Sequence, residues 1–174
     1  MELQFLYGLQ ELHGPVLDKI MIGITKLGDG GIFWLALALV LLVIPKTRKC
    51  GISIFAAMAF SYIIGNLGLK PLVARPRPFT VATDVTLIID KPGEFSFPSG
   101  HTLHAFTAAT AIFYHYRKPG VAAYVLAALI AFSRMYLFVH YPTDILAGAV
   151  LGILDALLIS CLLNKYVSKM KKEK

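Results

Sequence analysis

The sequence predicts an all-α fold, a polytopic bundle of membrane helices with five transmembrane segments and, as an alternative, a short sixth at the N-terminus. Of its 174 residues, 57% are hydrophobic and 16% are charged, and the mean hydropathy is +0.68. These values lie outside the range of soluble globular proteins. The apolar residues are also gathered into long runs separated by short basic clusters, and the length suits a single domain, residues 1–174.

The first element, residues 1–28, admits two interpretations. Leucines recur at helical spacing from Leu3 to Leu12, and a second apolar series follows Pro15. Charged residues interrupt both pieces, namely Glu11, Asp18, Lys19 and Lys26. An amphipathic helix on the membrane surface explains this pattern. A short span over about residues 14–28 explains it as well.

Five apolar segments follow, and each is predicted to cross the membrane as a helix. They lie at about residues 30–45, 51–69, 99–117, 121–138 and 143–164. Some are shorter than the ~20 residues that a hydrocarbon core requires. Snorkelling of flanking polar side chains, together with a thin bundle at its functional end, accommodates the difference.

The last apolar segment carries two further signals. Gly148, Gly152 and Ala156 form a stripe of small residues that predicts close helix packing. The carboxylate of Asp155, on the same face as Asp144, needs a polar partner at membrane depth. Candidate partners are Asn66, Ser61 or a tyrosine, and we assign Asp155 to locking the bundle and not to catalysis.

The basic residues predict the orientation of the bundle. Clusters at 46–50 and 117–118 and the basic tail at 165–174 flank apolar runs, and such clusters face the cytoplasm. The C-terminus is therefore predicted to be cytoplasmic. Residues 70–98 and 139–142 are predicted on the periplasmic or exterior face of the cell membrane. Anionic headgroups explain the net charge of +7, so the bilayer is a predicted partner and nucleic acid is not. The oligomeric state stays open.

The outward-facing loop 70–98 is the only long connection. It contains five prolines and an apolar patch at residues 85–89. A connection of this length is usually functional or disordered. Two interpretations stay open, a lid or lipid-touching flap and a plain connector.

Three polar clusters lie at the outer ends of these apolar runs, where ionisable residues mark a functional site by default. In one cluster, His140 and Asp144 are four residues apart and can share a helix face. A carboxylate on one imidazole nitrogen fixes the tautomer and leaves the other nitrogen free as a nucleophile. Structural pairing explains most isolated pairs of this kind, so the neighbouring clusters decide its meaning.

In the second cluster, Ser99 follows Pro98 and is predicted to cap the N-terminus of a helix. The exposed N–H groups of such a terminus bind anions, and Gly100 lets a ligand approach the backbone. His101 would lie beside that anion, where it can donate a proton to a departing oxygen. An ordinary serine cap with an interfacial histidine is the alternative.

The remaining cluster residues, Lys70, Arg77 and Arg134, supply positive charge. Arg134 lies near the end of an otherwise apolar helix, where only an anion or a polar pocket explains it. Snorkelling explains Lys70 and Arg77 singly, but not why all three clusters share one face. Phosphate-ester cleavage needs charge neutralisation, an in-line nucleophile and an acid. No cluster has metal-ligand spacing, so neither a metal nor another cofactor is predicted.

Together the clusters resemble the three-part signature of the type 2 phosphatidic acid phosphatase superfamily in order and in spacing. The matching motifs are Lys70-x6-Arg77-Pro78, Pro98-Ser99-Gly100-His101 and Ser133-Arg134-x5-His140-x3-Asp144. The resemblance covers residues 70–144 directly. It implies the membrane lipid phosphate phosphatase branch, whose core usually has six helices.

The resemblance also implies a role for each signature residue. His140 would attack phosphorus to form a phosphohistidine, and Asp144 would orient it. His101 would protonate the leaving group and then activate the water that hydrolyses the intermediate. The phosphate would be held without a metal by Lys70, Arg77, Ser99, Gly100 and Arg134.

Three neighbours of the signature are predicted to support the site from outside it. Arg75 either contacts a second phosphate or headgroup or snorkels at the surface, which we favour. His104 lies three residues after His101 and could face the same cavity, but we assign it a packing or supporting role. Asn66 is the third supporting residue.

The predicted function is hydrolysis of a lipid phosphate or diphosphate at the outer leaflet. Candidate substrates are phosphatidic acid, phosphatidylglycerol phosphate, undecaprenyl diphosphate and lipid A phosphate. Relatives that act on undecaprenyl diphosphate often carry Asp in place of Gly100, which argues weakly against that lipid. Two alternatives are a phosphatase or phosphotransferase for a soluble small molecule, and a non-catalytic lipid-phosphate binder or transporter. A pure binder would not need the histidines and Asp144.

Overall fold

The computed structural model describes residues 1–172, and within this range all regular secondary structure is helical. The α-helices of this range are α1 Glu2–Gln10, α2 Pro15–Lys26, α3 Ile32–Val43, α4 Arg48–Ser61, α5 Lys70–Val73, α6 Pro78–Val81, α7 Gly100–His115, α8 Arg117–Tyr136 and α9 Pro142–Lys172. A 3₁₀ turn at Asp29–Gly31 precedes α3, and a π-helix at Tyr62–Leu69 joins α4 to α5. Helix α9 continues through most of the predicted basic tail, of which residues 173–174 lie outside the described range.

The helices include three segments long and apolar enough to cross a membrane: 48–81, 117–136 and 142–166. A fourth is added if α2 and the helix Asp29–Val43, which meet at a bend of 41°, form one broken span. Five separate spans were predicted. The segment predicted at 99–117 is the helix α7, whose 16 residues fall short of a span by length alone.

Helix α7 is short because it lies at the centre of the bundle. It packs against α9, α8 and α4, and none of its residues is exposed. Its small side chains, including Ala105, Ala108 and Ala109, are fully buried in a core shared with Trp34 and Ile130. A helix covered by protein on every side does not have to match the hydrocarbon thickness.

The close packing predicted for α9 is confirmed. A Cβ atom added to Gly152 would lie 2.5 Å from the carbonyl oxygen of Leu103, and one added to Gly148 would lie 2.8 Å from that of Ser99. Ala156, one turn further, is fully buried. The small residues therefore let α9 approach the backbone of α7 and hold the Asp144 end of α9 beside Ser99.

Asp155 meets one of its predicted partners. The hydroxyl of Ser61 donates to Asp155 Oδ2 at 2.8 Å and lies 2.9 Å from the hydroxyl of Thr107. Ser61 is the last residue of α4, Thr107 lies in the middle of α7 and Asp155 lies in the middle of α9, and all three are buried. The contact ties three helices together, which is the structural role assigned to Asp155.

The N-terminal region is divided into two helices with different positions. Helix α1 buries Leu6 and Leu9 against Phe138 and Tyr141, close to the connection between α8 and α9. Helix α2 is the first half of the bent pair with α3. If this bent pair is one span, residues 14–28 belong to its first half. Helix α1 covers the end of the bundle that carries the polar clusters.

The connection 70–98 is more ordered than its sequence suggests. It begins with α5 and contains α6, and its apolar patch is packed: Leu87 and Ile89 contact the cluster formed by Met21, Tyr136 and Val139. The patch therefore lies against α2 and the end of α8. This packing places the polar residues at 90–96 over the ends of the central helices.

Candidate active site

All three polar clusters meet at one cavity of about 340 Å³. The signature residues that line it are Lys70, Arg77, Gly100, His101, Arg134 and His140, and the supporting residues Asn66 and His104 line it as well. Ser99, Asp144 and Arg75 lie outside the lining and act on it through their neighbours. Residues far apart in the sequence are thus brought together at one end of the bundle.

His140 lies in the short connection between α8 and α9 and is 2% exposed. Its Nε2 atom accepts a hydrogen bond from Nη1 of Arg77 at 3.1 Å, and its Nδ1 atom is 3.4 Å from Oδ2 of Asp144. Burial lowers the pKa of His140 to about 3, so the imidazole is neutral at physiological pH. With Nδ1–H facing the carboxylate, Nε2 carries the lone pair, which here accepts the hydrogen bond from Arg77 and which would be the nucleophile.

Asp144 is fully buried and receives several hydrogen bonds. The hydroxyl of Ser96 and the backbone N–H of Tyr141 donate to Oδ2, and Nη1 of Arg75 donates to Oδ1 at 2.7 Å. The backbone N–H of Ser99 donates to the carbonyl oxygen of Asp144. These contacts fix the carboxylate in position beneath His140.

Arg75 does not snorkel, so this part of the prediction is wrong. Besides Asp144, its guanidinium contacts Oε2 of Glu2 at 2.6 Å and the hydroxyl of Thr143, and it stacks on the ring of Tyr141. The carboxylates hold Arg75 against the protein, where it compensates the buried charge of Asp144.

The three cations of the cavity are almost completely buried, with exposures of 4–6%. Nη1 of Arg134 donates to the hydroxyl of Thr25. Nη1 of Arg77 also donates to the carbonyl oxygen of Val139, and its guanidinium keeps its charge at neutral pH. Buried cations with few carboxylate partners create a strong site for an anion.

Glu94 pairs with the remaining cation. Its Oε2 atom lies 2.6 Å from Nζ of Lys70, and its backbone carbonyl accepts a hydrogen bond from Nε of Arg77. The hydrogen bond from Lys70 holds the pKa of Glu94 below its usual value. A carboxylate of the 70–98 connection thus contacts one of the groups predicted to hold phosphate.

The start of α7 has the predicted cap. The side chain of Ser99 accepts hydrogen bonds from the backbone N–H and the hydroxyl of Thr102. Gly100 follows at the cavity wall, where an added Cβ would lie 3.3 Å from Nδ2 of Asn66 and 3.9 Å from Nζ of Lys70. The missing side chain leaves the helix N-terminus open to an anion in the cavity.

The two histidines of α7 have different surroundings. Nε2 of His101 lies 2.8 Å from Oδ1 of Asp29. His104 is 8% exposed and packs beside Tyr62 and Gly31; within residues 1–172 its Nε2 atom has no hydrogen-bond partner. Of the two histidines, His101 is the one that is hydrogen-bonded to a carboxylate.

Sequence reasoning did not identify four residues that contact the site, namely Glu2, Asp29, Glu94 and Ser96. Ser96 and Glu94 precede the second signature motif directly, and Asp29 lies in the turn signal Gly28-Asp29-Gly30-Gly31. These positions could be noticed in the sequence, but nothing in it indicates which side chains they meet.

The family model of the PAP2 superfamily matches residues 51–168, more than half of the chain. The chain belongs to the PAP2 superfamily. The matched range contains every signature residue from Lys70 to Asp144 and the whole of α7 and α8.

Named relatives of this PAP2 protein are lipid phosphatases. An undecaprenyl-diphosphatase of Sulfolobus acidocaldarius is 31% identical over 78% of this chain and 66% of its own length. The undecaprenyl-diphosphatase BcrC of Bacillus subtilis is 33% identical over 86% of this chain and 76% of its own. This chain thus spans slightly less than two thirds of the archaeal relative.

A solved structure shares the fold of this PAP2 protein. The crystal structure of a transmembrane PAP2 type phosphatidylglycerolphosphate phosphatase from Bacillus subtilis superposes with a TM-score of 0.78 at 28% identity, covering 94% of this chain and 85% of that one. The helical arrangement described above is therefore the arrangement of a PAP2 membrane phosphatase.

Proposed function

We propose that this PAP2 protein hydrolyses the phosphomonoester or diphosphate of a membrane lipid, without a metal, through a phosphohistidine on His140. The observation that carries the proposal is the cavity itself. The neutral, buried Nε2 atom of His140 faces it, with Asp144 on the opposite ring nitrogen and three buried cations around it. Pure binding would explain the cations but not a buried neutral imidazole backed by a carboxylate.

The reaction would proceed in two displacements. In the first, Nε2 of His140 attacks phosphorus, the bond from phosphorus to the lipid oxygen breaks, and His101 gives its proton to that oxygen. In the second, water attacks the phosphohistidine, His101 takes the proton from the water, and the phosphorus–nitrogen bond breaks to release inorganic phosphate. Lys70, Arg77 and Arg134 would neutralise the charge on the phosphoryl oxygens in both steps, which is the service a metal would otherwise supply.

A groove beside the cavity supports a lipid substrate over a soluble one. It has a volume of about 680 Å³ and runs between α2 and the 85–90 part of the connection. Its lining is mixed: Ile22 and the apolar residues 87–89 lie beside the charged residues Lys26, Asp29 and Asp90, and it shares His101 and Arg134 with the cavity. An apolar chain attached to a phosphate in the cavity could leave through this groove toward the membrane.

The topology belongs to the same proposal. With α2 and α3 as one broken crossing, the chain crosses the membrane five times, the other crossings being α4, α7, α8 and α9. The basic clusters at 46–50 and 117–118 would then face the cytoplasm. The C-terminus would be cytoplasmic and the cavity would open to the periplasm or the exterior of the cell membrane.

The decisive experiment is phosphate release from purified protein in detergent with a chelator present. The panel contains phosphatidic acid, phosphatidylglycerol phosphate, undecaprenyl diphosphate and lipid A phosphate, with glucose 6-phosphate as the soluble ester. We expect release from at least one lipid, inhibition by vanadate, and loss of activity in His140→Ala. His115→Gln is the matched control, because His115 lies at the far end of α7 and contacts Ser53. Activity that survives in His140→Ala, or that needs an added metal, would overturn the proposal.

A further inference from the structure

The turn at Asp29–Gly31 separates α2 from α3, which meet at a bend of 41°. Two consecutive residues, Gly30 and Gly31, have left-handed backbone conformations with φ angles of 56° and 68°. Such conformations are unfavourable for residues with a side chain, so the two glycines permit the break. The break leaves backbone outside a regular helix at the level of the cavity, since Gly28 and Gly30 line it.

The break places a carboxylate on the proposed acid. Oδ1 of Asp29 lies 2.8 Å from Nε2 of His101, although 72 residues separate them in the chain. The adjacent Gly28 lies against the same imidazole: an added Cβ would be 2.6 Å from Cδ2 of His101 and 2.9 Å from Cγ2 of Ile130. The turn therefore confines the His101 ring from one side and binds it from another.

We propose that Asp29 is a positioning residue for His101, and that the broken α2–α3 span serves to deliver it. The inference rests on the proposed function, in which His101 donates and then accepts a proton. An imidazole N–H bound to a carboxylate keeps its tautomer and orientation. With Nε2–H directed at Asp29, Nδ1 is the nitrogen that exchanges the proton with the lipid oxygen and with water. Asp29 changes no bond in either step and stabilises the protonated ring.

The charges around His101 explain why a carboxylate is needed there. The other titratable and charged groups that line the cavity or its groove come from every neighbouring element, namely Lys26, Tyr62, Lys70, Arg77, Asp90, Glu94, His104, Arg134 and His140. Arg134 lines the same cavity and repels a positive charge on His101, whereas the carboxylate that is hydrogen-bonded to the ring attracts it. Within residues 1–172, neither Asp90 nor Glu94 is hydrogen-bonded to His101, so Asp29 is the carboxylate that acts on this ring directly.

The test compares Asp29→Asn, Asp29→Glu and the control Glu11→Gln over a range of pH. Glu11 is exposed beyond the end of α1, and its side chain makes no hydrogen bond to the residues that the structure describes, so its variant removes one negative charge from the same end of the bundle. We expect Asp29→Asn to lower kcat about 10- to 100-fold with little change in KM, and to move the alkaline limb of the pH–rate profile to lower pH. Asp29→Glu should restore part of the rate and of the limb. Glu11→Gln should behave as wild type.

A second pair of variants tests the same contact without changing charge. Gly28→Ala places a methyl group against the His101 ring, whereas Gly23→Ala, in the middle of α2, meets no atom within 4 Å. We expect Gly28→Ala to shift the alkaline limb in the same direction as Asp29→Asn, and Gly23→Ala to leave it in place. This pair also decides the matter if Asp29→Asn does not fold.

The outcomes separate the two proposals. If wild type is active and His140→Ala is not, but the pH profile of Asp29→Asn superposes on that of wild type, the role of Asp29 is wrong and the proposed function stands. An equal shift in Glu11→Gln would likewise reduce the effect to general charge and overturn the role. If wild type releases no phosphate from any substrate in the panel, the proposed function fails first.

Discussion

The carboxylate of Asp144 has hydrogen-bond partners besides His140, the residue that it is proposed to orient. Arg75, Ser96 and the backbone of Tyr141 each contact it more closely than His140 does, at distances below the 3.4 Å of the His140 contact. At the scale of single residues, the position of Asp144 is thus fixed independently of His140. This arrangement leaves the imidazole ring free to adjust as Nε2 moves toward phosphorus.

Asp144→Asn should lower kcat by about 10²- to 10⁴-fold, because an amide neither stabilises the positive charge of the phosphorylated imidazole nor selects the same tautomer. The yield of acid-labile phosphohistidine, trapped from a radiolabelled lipid phosphate, should fall in parallel. Asp155→Asn, on the same helix and away from the cavity, is the control. A wild-type yield of phosphohistidine in Asp144→Asn would contradict the orienting role.

Glu94 offers a second prediction at this scale, concerning pH. Because its pKa is held below the usual value by Lys70, the carboxylate is charged at neutral pH and competes with phosphate for that lysine. Glu94→Gln should therefore bind vanadate several-fold more tightly at pH 7. The contact exists above the lowered pKa of Glu94 and is lost as the pH falls through it, so the difference between the two proteins should be full at pH 7 and begin to narrow toward pH 4.

Inhibition constants measured between pH 4 and pH 8 would check the prediction. Asp84→Asn removes another carboxylate of the same connection, one that accepts a hydrogen bond from Tyr7 and not from Lys70, and its constant should follow wild type. Weaker vanadate binding in Glu94→Gln would mean that Glu94 assists the anion site instead of competing with it.

At the scale of helices, the contact between α7 and α9 depends on the absence of side chains. Gly152→Ala would place a methyl group 2.5 Å from a backbone oxygen that cannot rotate away. We expect it to destabilise the bundle by about 1–3 kcal/mol, the usual cost of overpacking. Gly8→Ala, in α1 with nothing within 4 Å, should be neutral or slightly stabilising. Thermal unfolding in detergent distinguishes the two, and equal melting temperatures would contradict the close packing.

The hydrogen bond between Ser61 and Asp155 gives another prediction about helices. Ser61→Ala removes the donor and leaves a buried carboxylate unpaired, at a cost of about 1–3 kcal/mol. Asp155→Asn keeps a polar partner and should cost less. Both variants should retain the wild-type pH–rate profile, because neither residue lines the cavity. A displaced profile in the folded variant would assign Asp155 to catalysis.

For the whole molecule, the proposed orientation predicts which loops are reachable from outside the cell. In a Cys161→Ser background, with Cys50 buried, Thr83→Cys should react with a membrane-impermeant maleimide on intact cells. Lys118→Cys, at the end of α8 that is remote from the cavity, should react only after permeabilisation. Both positions are exposed, so the reverse pattern would invert the topology.

How far the sequence predicts this molecule depends on whether a feature is local. The four-residue spacing of His140 and Asp144, the serine cap and the stripe of small residues in α9 each follow from helical periodicity, and the structure contains all three features. The contacts of Asp29 and Arg75 join residues about 70 positions apart. Such pairs arise from tertiary packing, and no periodicity in the sequence predicts them.

The number of spans could not be predicted for a similar reason. Apolar length identified α4, α8 and α9, whose outer faces meet lipid. It also identified α7, which is enclosed by protein and is shorter than a span by length alone, and it could not decide on residues 14–28, because charged residues interrupt α2. Hydropathy indicates that a helix needs apolar surroundings, but not whether lipid or protein supplies them. Protein surrounds α7, and α2 meets α3 at a bend.

The enclosure of α7 has a consequence for the way substitutions are tolerated. Where α8 and α9 each have a face open to lipid, α7 has no exposed position along its length. Volume changes between Thr102 and Ile112 should therefore be selected against at nearly every site, while α8 and α9 accept them along one face. In a saturation library the most constrained helix would be α7, the helix of the central bundle that falls short of a membrane span by its length.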